Sequence, residues 1–501
     1  MNWLTKLIAP IAPGWALERA RSAHALKAFH EVAEPSRLRK ARNDKGSANA
    51  QTQRSAQKLR IMARHMEENL DIASGALDVL VSNIVGRGIR PEPQVRRTDG
   101  TLATEVNDQL LKLFEDWRFK PEVTQSHDYF EVQRLSARSW LRDGEMLSQL
   151  LIGSVAALDH GTKVPFSLEM LEADYLPFDL NDDAKGIVQG IEVNAWRRPR
   201  AYWLHKGHPG DSGATTDTKR VEANRVIHLK FVKRIHQLRG ITVFASVLGR
   251  LDDIKEIDES ERVAARVAAA MAAFIKKGNA EDYSSTDYDA DDKRTMEFAP
   301  GMVFDDLRPG EDIGTINPNR PNNALIPFRE AQLRSAAAGL GTTFSSLARN
   351  YNGTYSAQRQ ELVEGHGHYA TLASTFVHQF CEPVWWAFID AAVAANLISL
   401  AGIDPESIYD ATHATPPMTW IDPVKEITAN ELAEKRLYKS RSQIIREFGR
   451  NPTQTLQEIA RDRDEAAALN LQREDAPAVP ALPEQSDPDE SSGGGLEKWM
   501  R

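Results

Sequence analysis

Between Ala56 and Val85 the apolar residues Leu59, Met62, Met66, Leu70, Leu77, Val81 and Ile84 recur mostly at three- and four-residue steps. That spacing places them on one face of a helix and predicts a single long amphipathic helix. Gly86 and Gly88 would end it, with Pro91 and Pro93 beyond. Helices are also expected over Thr104–Phe119 and Tyr129–Arg142. The period then changes. Met146–Ile152, Phe166–Leu171, Ile187–Val193, Ala201–Leu204 and Arg225–Phe231 are short and rich in β-branched or aromatic residues, which predicts a modest antiparallel sheet. His205–Thr218, rich in Gly, Pro and Thr, reads as a surface excursion.

Helical spacing returns over Ile241–Lys277, carried by Val243, Val247, Leu251, Ile254, Ile257, Val263, Val267, Met271 and Phe274. At ~1.5 Å per residue this segment predicts a rod of about 50 Å. Asn279–Asp292 is polar and acidic, and Met296–Ile313 reads as strand, turn, strand. Asn323–Leu340 is a further helix, and Tyr355–Leu400 a second very long one, kinked where Pro383 removes a backbone donor. Glu431–Leu471 holds at least two helices split near Gly449–Pro452. Residues 1–50 read as an extended arm with a hinge at Gly46-Ser47, and residues 473–501 as a disordered Pro-, Ser- and Gly-rich tail. The fold class is α+β and mainly helical, without internal repeats.

The segment from Leu333 to Glu364 combines an Ala-rich helix, a turn punctuated by Gly339 and Gly341, a polar aromatic loop and the start of a long helix. Glycine closes helices because it adopts left-handed backbone values without strain. The loop and the helix start carry Arg349, Asn350, Tyr351, Asn352, Thr354, Tyr355 and Gln358, with neither acid nor histidine between Arg349 and Ser356. Such residues offer hydrogen bonds and stacking faces but no evident bond-making chemistry. They suit grazing contact with a polymer.

Composition narrows the classes. The chain has 501 residues, 41% hydrophobic and 27% charged, enough for two or three domains or one elongated subunit. No apolar run approaches the ~20 residues of a membrane span. The first residues, interrupted by Pro10 and Pro13, do not read as a signal peptide. The single cysteine, Cys381, excludes an internal disulfide and fits a reducing compartment. A net charge of −9 argues against a protein that clamps nucleic acid. The charge is uneven, however: Glu18–Arg64 holds twelve Lys/Arg against four Asp/Glu. That basic arm is either a solvated segment or a contact for DNA or an acidic partner.

No phosphate-binding G-x-x-x-x-G-K-[ST] loop, H-E-x-x-H, G-x-S-x-G or paired-cysteine knuckle occurs, so neither catalysis nor a cofactor is expected. His366, His368, His378 and Cys381 invite a metal reading, but His366 and His368 point to opposite sides of a helix. The acidic sets Asp289–Asp292, Asp305-Asp306, Glu311 and Asp312 admit an alternative, a metal-dependent DNA-processing nuclease. Trp385-Trp386 lies in an apolar helical run and reads as core packing or a subunit contact.

The loop segment resembles that of lambda-type phage portal proteins, in which AAGLG, Asn-Tyr, and Tyr-Ser followed by Arg recur in this order. Other segments, in chain order, are similar to the same family: NIVGRGIRPEP (Asn83–Pro93), DGEML (Asp143–Leu147), LEADYL (Leu171–Leu176), GIEVNAWRRPRAYWL (Gly190–Leu204), RVIHLKFVKRIHQLRGIT (Arg225–Thr242), and RPGEDI with INPNRP (Arg308–Pro321). The resemblance covers residues 55–470 or so. A second alternative beside it is a capsid structural protein without a channel. The resemblance implies a homo-oligomeric ring, commonly of twelve subunits, at one capsid vertex, through which duplex DNA passes without sequence preference. The implied partners are the terminase large subunit, the major capsid protein, a scaffold or protease, and the head–tail connector, with no membrane. Carried onto this chain, the resemblance implies a wing over 51–240, a first stem helix over 241–275 and a clip over 276–313. A second stem helix follows over 314–341, then a channel loop over 342–354. A spine helix returning to the wing spans 355–429, and crown helices 430–472. Arg349, Asn350, Tyr351, Asn352, Thr354, Tyr355 and Gln358 become the candidate DNA-facing residues.

Overall fold

The computed structural model describes residues 46–213, 216–269, 273–277, 311–315, 325–417, 423–448 and 450–469. The arm up to residue 45, the segment 278–310 and the tail from residue 470 lie outside the described residues, and with them most of the acidic sets.

Two helices open the body: α1 (Ala48–Asn69) and α2 (Asp71–Ile84). The continuous helix expected over 56–85 is therefore broken, at Leu70, whose backbone is extended. The environments of the two halves explain the break. α1 buries a narrow stripe (Ala56, Arg60, Ala63, Met66), whereas α2 enters the core with a wider face, Ala73, Ala76, Leu77, Val79, Leu80, Val81 and Ile84. The expected hinge residue Ser47 is instead the cap of α1, accepting the Ala50 N–H at 3.1 Å. β1 (Pro91–Pro93), α3 (Thr104–Trp117) and α4 (Tyr129–Asp143) follow, the last opened by a reciprocal Asp128/Glu131 capping box.

The strand region forms two sheets rather than the one expected. β2 (Glu145–Ile152) lies between β3 (Phe166–Leu171) and β8 (Val226–Lys230), antiparallel to both. β4 (Ile187–Val188), β5 (Ile191–Val193), β6 (Pro199–His205) and β7 (Thr218–Glu222) form a four-stranded meander. Strand alternation assigns the faces. Met146, Leu150, Phe166, Leu168, Ile227 and Leu229 join the helical core with Trp117, Trp140 and Phe388. Leu147, Leu171 and Val226 point the other way, onto Ile191, Tyr202 and Leu204 of the second sheet. The three-stranded sheet is thus the middle layer between helices and meander.

α5 (Leu248–Ala269) is shorter than the rod expected over 241–277, because Ala273–Lys277 is a strand, β9, paired antiparallel with β10 (Glu311–Thr315). Phe274-Ile275 has strand preference, and a partner segment supplies its backbone bonds. α6 (Leu325–Leu340) runs beside α5, tied by the Arg329–Asp258 pair at 3.0 Å. α7 (Phe344–Ala348) and α8 (Tyr355–Phe376) follow. α8 passes through a π-turn, Val377–Cys381, into α9 (Glu382–Ala394). The wider turn accommodates Pro383, which has no N–H to return to the preceding turn. The expected end at Leu400 comes at Ala394 instead, where Asn396 turns to positive φ. β11 (Ala411–His413) pairs with β1, and α10 (Pro423–Lys435), α11 (Arg441–Glu447) and α12 (Pro452–Ala468) complete the described chain.

Candidate nucleic-acid interface

The candidate loop hangs between α6 and α8, and each end is fixed by a backbone requirement. Gly341 ends α6 at φ +70, and a Cβ there would lie 2.3 Å from His368 Nε2. Gly339, expected to help end the helix, lies inside it. A Cβ on Gly339 would lie 2.3 Å from Val247 Cγ1, so this glycine serves close helix approach. The segment 342–354 is not wholly open either, since it contains α7. Thr343 caps α7 by accepting the Ser346 N–H at 3.2 Å. Glu361 of α8 accepts both the Ser345 N–H at 3.0 Å and its hydroxyl at 2.6 Å, placing a carboxylate at the N-terminus of α7. Leu347 anchors α7 in the main core with Leu340 and Tyr369.

Beyond α7 the chain turns outward. Arg349 adopts φ +51 and is exposed, and it makes no ion pair among the described residues. The Asn350 side chain accepts the Asn352 N–H at 3.1 Å, an Asx-type turn. Tyr351 and Tyr355 are 58% and 54% exposed, so neither ring anchors its own loop. Thr354 caps α8 by accepting the Ala357 N–H at 3.4 Å. Gln358, on α8, donates to the Tyr351 carbonyl. The structure therefore gathers Arg349, Asn350, Tyr351, Asn352 and Gln358 about one tight turn. Thr354 and Tyr355 continue that exposed edge onto the helix. The arrangement offers one free guanidinium, amides and two ring faces, with no group placed to break a bond.

Sequence reasoning missed Glu361 and Thr343, which hold the loop's base. Thr343 carried a signal, a hydroxyl residue just before a helix, but Glu361 lies 16 residues from Ser345 and carried none. The four residues considered for a metal are not assembled. His368 packs on Gly341, His378 pairs with Glu382 at 3.0 Å, and Cys381 is buried, which pushes its thiol up. Among the described residues the group with metal-like spacing is Glu172, Asp174 and His208. Arg64 already sits against both of its carboxylates, at 3.1 and 2.6 Å. No described helix is long and apolar enough to cross a membrane.

A model of the lambda family of phage portal proteins matches residues 34–372. The chain belongs to that family. It is 23% identical to a probable portal protein of Halomonas phage phiHAP-1, over 95% of each chain. It is 20% identical to portal protein B of Escherichia phage lambda, over 48% of this chain and 50% of that one. Among solved structures it is similar to a chain in the neck of a native gene transfer agent particle computed with C12 symmetry, at 11% identity and TM-score 0.43, over 78% of this chain and 94% of that one. A chain of the native gene transfer agent virion gives 11% identity and TM-score 0.45, over 79% and 94%. The assignment rests on the sequence match, and the family is a structural one.

Proposed function

We propose that copies of this chain form a closed ring of twelve at one vertex of a phage capsid. Duplex DNA would enter and leave through its centre, and the loop 342–354 would face that channel. Membership of the portal family carries this reading. The loop supports it: Arg349, Asn350, Tyr351 and Asn352 form an exposed polar turn that can graze a phosphate backbone. A conduit must let duplex slide, and a chain of net charge −9 holds phosphates weakly. In this reading 51–240 is the wing, 241–275 and 314–341 the stem regions that hold α5 and α6, 276–313 the clip, 355–429 the spine and return, and 430–472 the crown. The terminase large subunit and head–tail connector dock on the ring, and the major capsid protein and its scaffold or protease surround it. The chain itself hydrolyses neither ATP nor DNA. Negative-stain images of the purified full-length protein should show rings with a central channel. A species of one chain mass, 55.9 kDa, at all concentrations and salts would overturn the reading.

A further inference from the structure

The most exposed tryptophan of the described chain is Trp196, 87% accessible, at the tip joining β5 to β6. This tip is built rather than slack. The Asn194 side chain accepts the N–H groups of both Trp196 and Arg198 at 2.9 Å. Its backbone closes on Arg197 and Arg198, with Arg197 held at φ +63. Arg197, Arg198 and Arg200 flank the ring, all exposed, and neither Arg197 nor Arg198 makes an ion pair among the described residues. A hydrogen-bonded turn thus presents an indole and the Arg197 and Arg198 guanidinium groups without ion-pair partners among the described residues. Trp and Arg are the side chains that dominate interface energies.

On the helical layer lies a cleft of about 610 Å³ with the opposite chemistry. Trp386 and Tyr409, 43% and 41% exposed, form aromatic walls, and Glu382, Asp390 and Asp410 supply carboxylates. The Tyr409 hydroxyl donates to Asp390 at 2.7 Å and Glu382 meets His378, and among the described residues no Lys or Arg lines the cleft. Tip and cleft cannot meet within one chain as folded. The tip belongs to the four-stranded meander and the cleft to α9 and β11, and the three-stranded sheet lies between these layers.

We propose that the Trp196–Arg198 tip of one copy seats in the Trp386/Asp390/Tyr409/Asp410 cleft of a second copy. The guanidinium groups would meet the carboxylates and stack on the ring faces, while the indole covers the apolar wall. The two surfaces differ and lie on opposite flanks, so the contact is head-to-tail, the type that closes into rings. It rests on the reading that the chain assembles.

The test uses two full-length variants. One is Trp196→Ala with Arg197→Glu and Arg198→Glu. The other is Asp390→Lys with Asp410→Lys. Native mass and sedimentation read assembly, and circular dichroism checks that both fold. Each variant alone should need at least about tenfold more protein to assemble than the parent. Mixed together, they restore one native joint, between the intact cleft of the first and the intact tip of the second, and at the alternate joint the reversed charges of the two variants attract. The mixture should therefore form assemblies of alternating chains, larger than either variant gives alone. Folded variants that assemble like the parent overturn the proposal while leaving the ring reading intact. A tip variant that assembles normally but loses DNA affinity also overturns it, making the tip a nucleic-acid contact. A parent chain that stays monomeric overturns both.

Discussion

The Arg239 guanidinium lies 2.6 Å from the Glu145 carboxylate, and neither side chain has any solvent exposure. Around them Arg60 reaches Glu145 at 2.8 Å, His228 Nε2 at 3.0 Å and the Gly240 N–H at 2.9 Å. Arg239 also donates to the carbonyls of Gln189 and Leu176 and stacks 3.8 Å over the Phe178 ring centre. Burial alone would push the Glu145 carboxyl up. Arg239, the His228 hydrogen bond and Arg60 outweigh it and hold the group well below the ordinary carboxylate range. DGEML, LEADYL and the Gln-x-Arg-Gly segment, far apart in sequence, converge on this cluster.

Replacing Arg239 by Ala would leave the buried Glu145 carboxylate with Arg60 as its remaining guanidinium and take a donor from the Gln189 and Leu176 carbonyls, which costs far more than the intact pair contributes. The expected loss is about 3–5 kcal/mol of stability, read as a shift of the chemical-denaturation midpoint. Arg239→Lys should recover only part, because a single ammonium nitrogen cannot span the positions that the three guanidinium nitrogens reach. A loss under about 1 kcal/mol for Arg239→Ala would show that the cluster is not integral to the fold.

Mild acid should weaken the protein through its buried histidines. Burial lowers the His228 pKa from 6.5 to about 4, so the ring stays neutral and donates from Nε2 to Glu145. Below pH ~6.5 the unfolded chain takes up a proton that the folded chain refuses, so stability falls as pH drops from about 6.5 to 4. The limit is about 3 kcal/mol for this residue. His413, also lowered to about 4 by burial, acts in the same direction. His228→Gln keeps a donor and removes the titration, so its stability should vary less with pH across this window. An unchanged slope would place the effect elsewhere.

Gly240 and Gly249 give a matched pair. A Cβ at Gly240 would lie 1.9 Å from the Gly144 carbonyl oxygen, a backbone atom with no room to retreat, whereas Gly249 has nothing within 4 Å. Gly240→Ala should cost on the order of 3 kcal/mol or prevent folding, and Gly249→Ala, within α5, should be neutral or stabilising by several tenths. Thermal melts of the two variants decide it, and equal melting points would refute the close approach.

For the loop, replacing Asn350, Tyr351 and Asn352 together by Ala should leave assembly intact and reduce the DNA packaged or retained. These side chains contribute little to the core: Tyr351 and Asn352 are exposed and Asn350 is half-buried. Counting particles and their DNA content after complementation reads both effects. Failure of the variant to assemble would make the turn a packing element and end its assignment to the channel.

Much of the chain was legible without coordinates because local periodicity is enough to specify it. The helices at 104–117, 129–143 and 325–340 fall within a few residues of their apolar patterns, and the strands from 145 to 230 follow their β-branched or aromatic runs, except that Thr218–Glu222 lies outside those runs and the run at 187–193 divides into two strands. The exposed turn at 349–354 follows from its Gly, Asn and Tyr content. What required the tertiary structure was every feature set by a distant partner. The helix over 56–85 reads as continuous, yet breaks at Leu70 because its halves meet solvent and core. Arg60 lies off the apolar pattern read from sequence, yet it is buried because Glu145, 85 residues away, is brought against it. Gly339 reads as a helix stop, but Val247 decides its role. The layers separating the Trp196 tip from the acidic cleft are likewise invisible in sequence, since strand alternation names two faces but not what covers each.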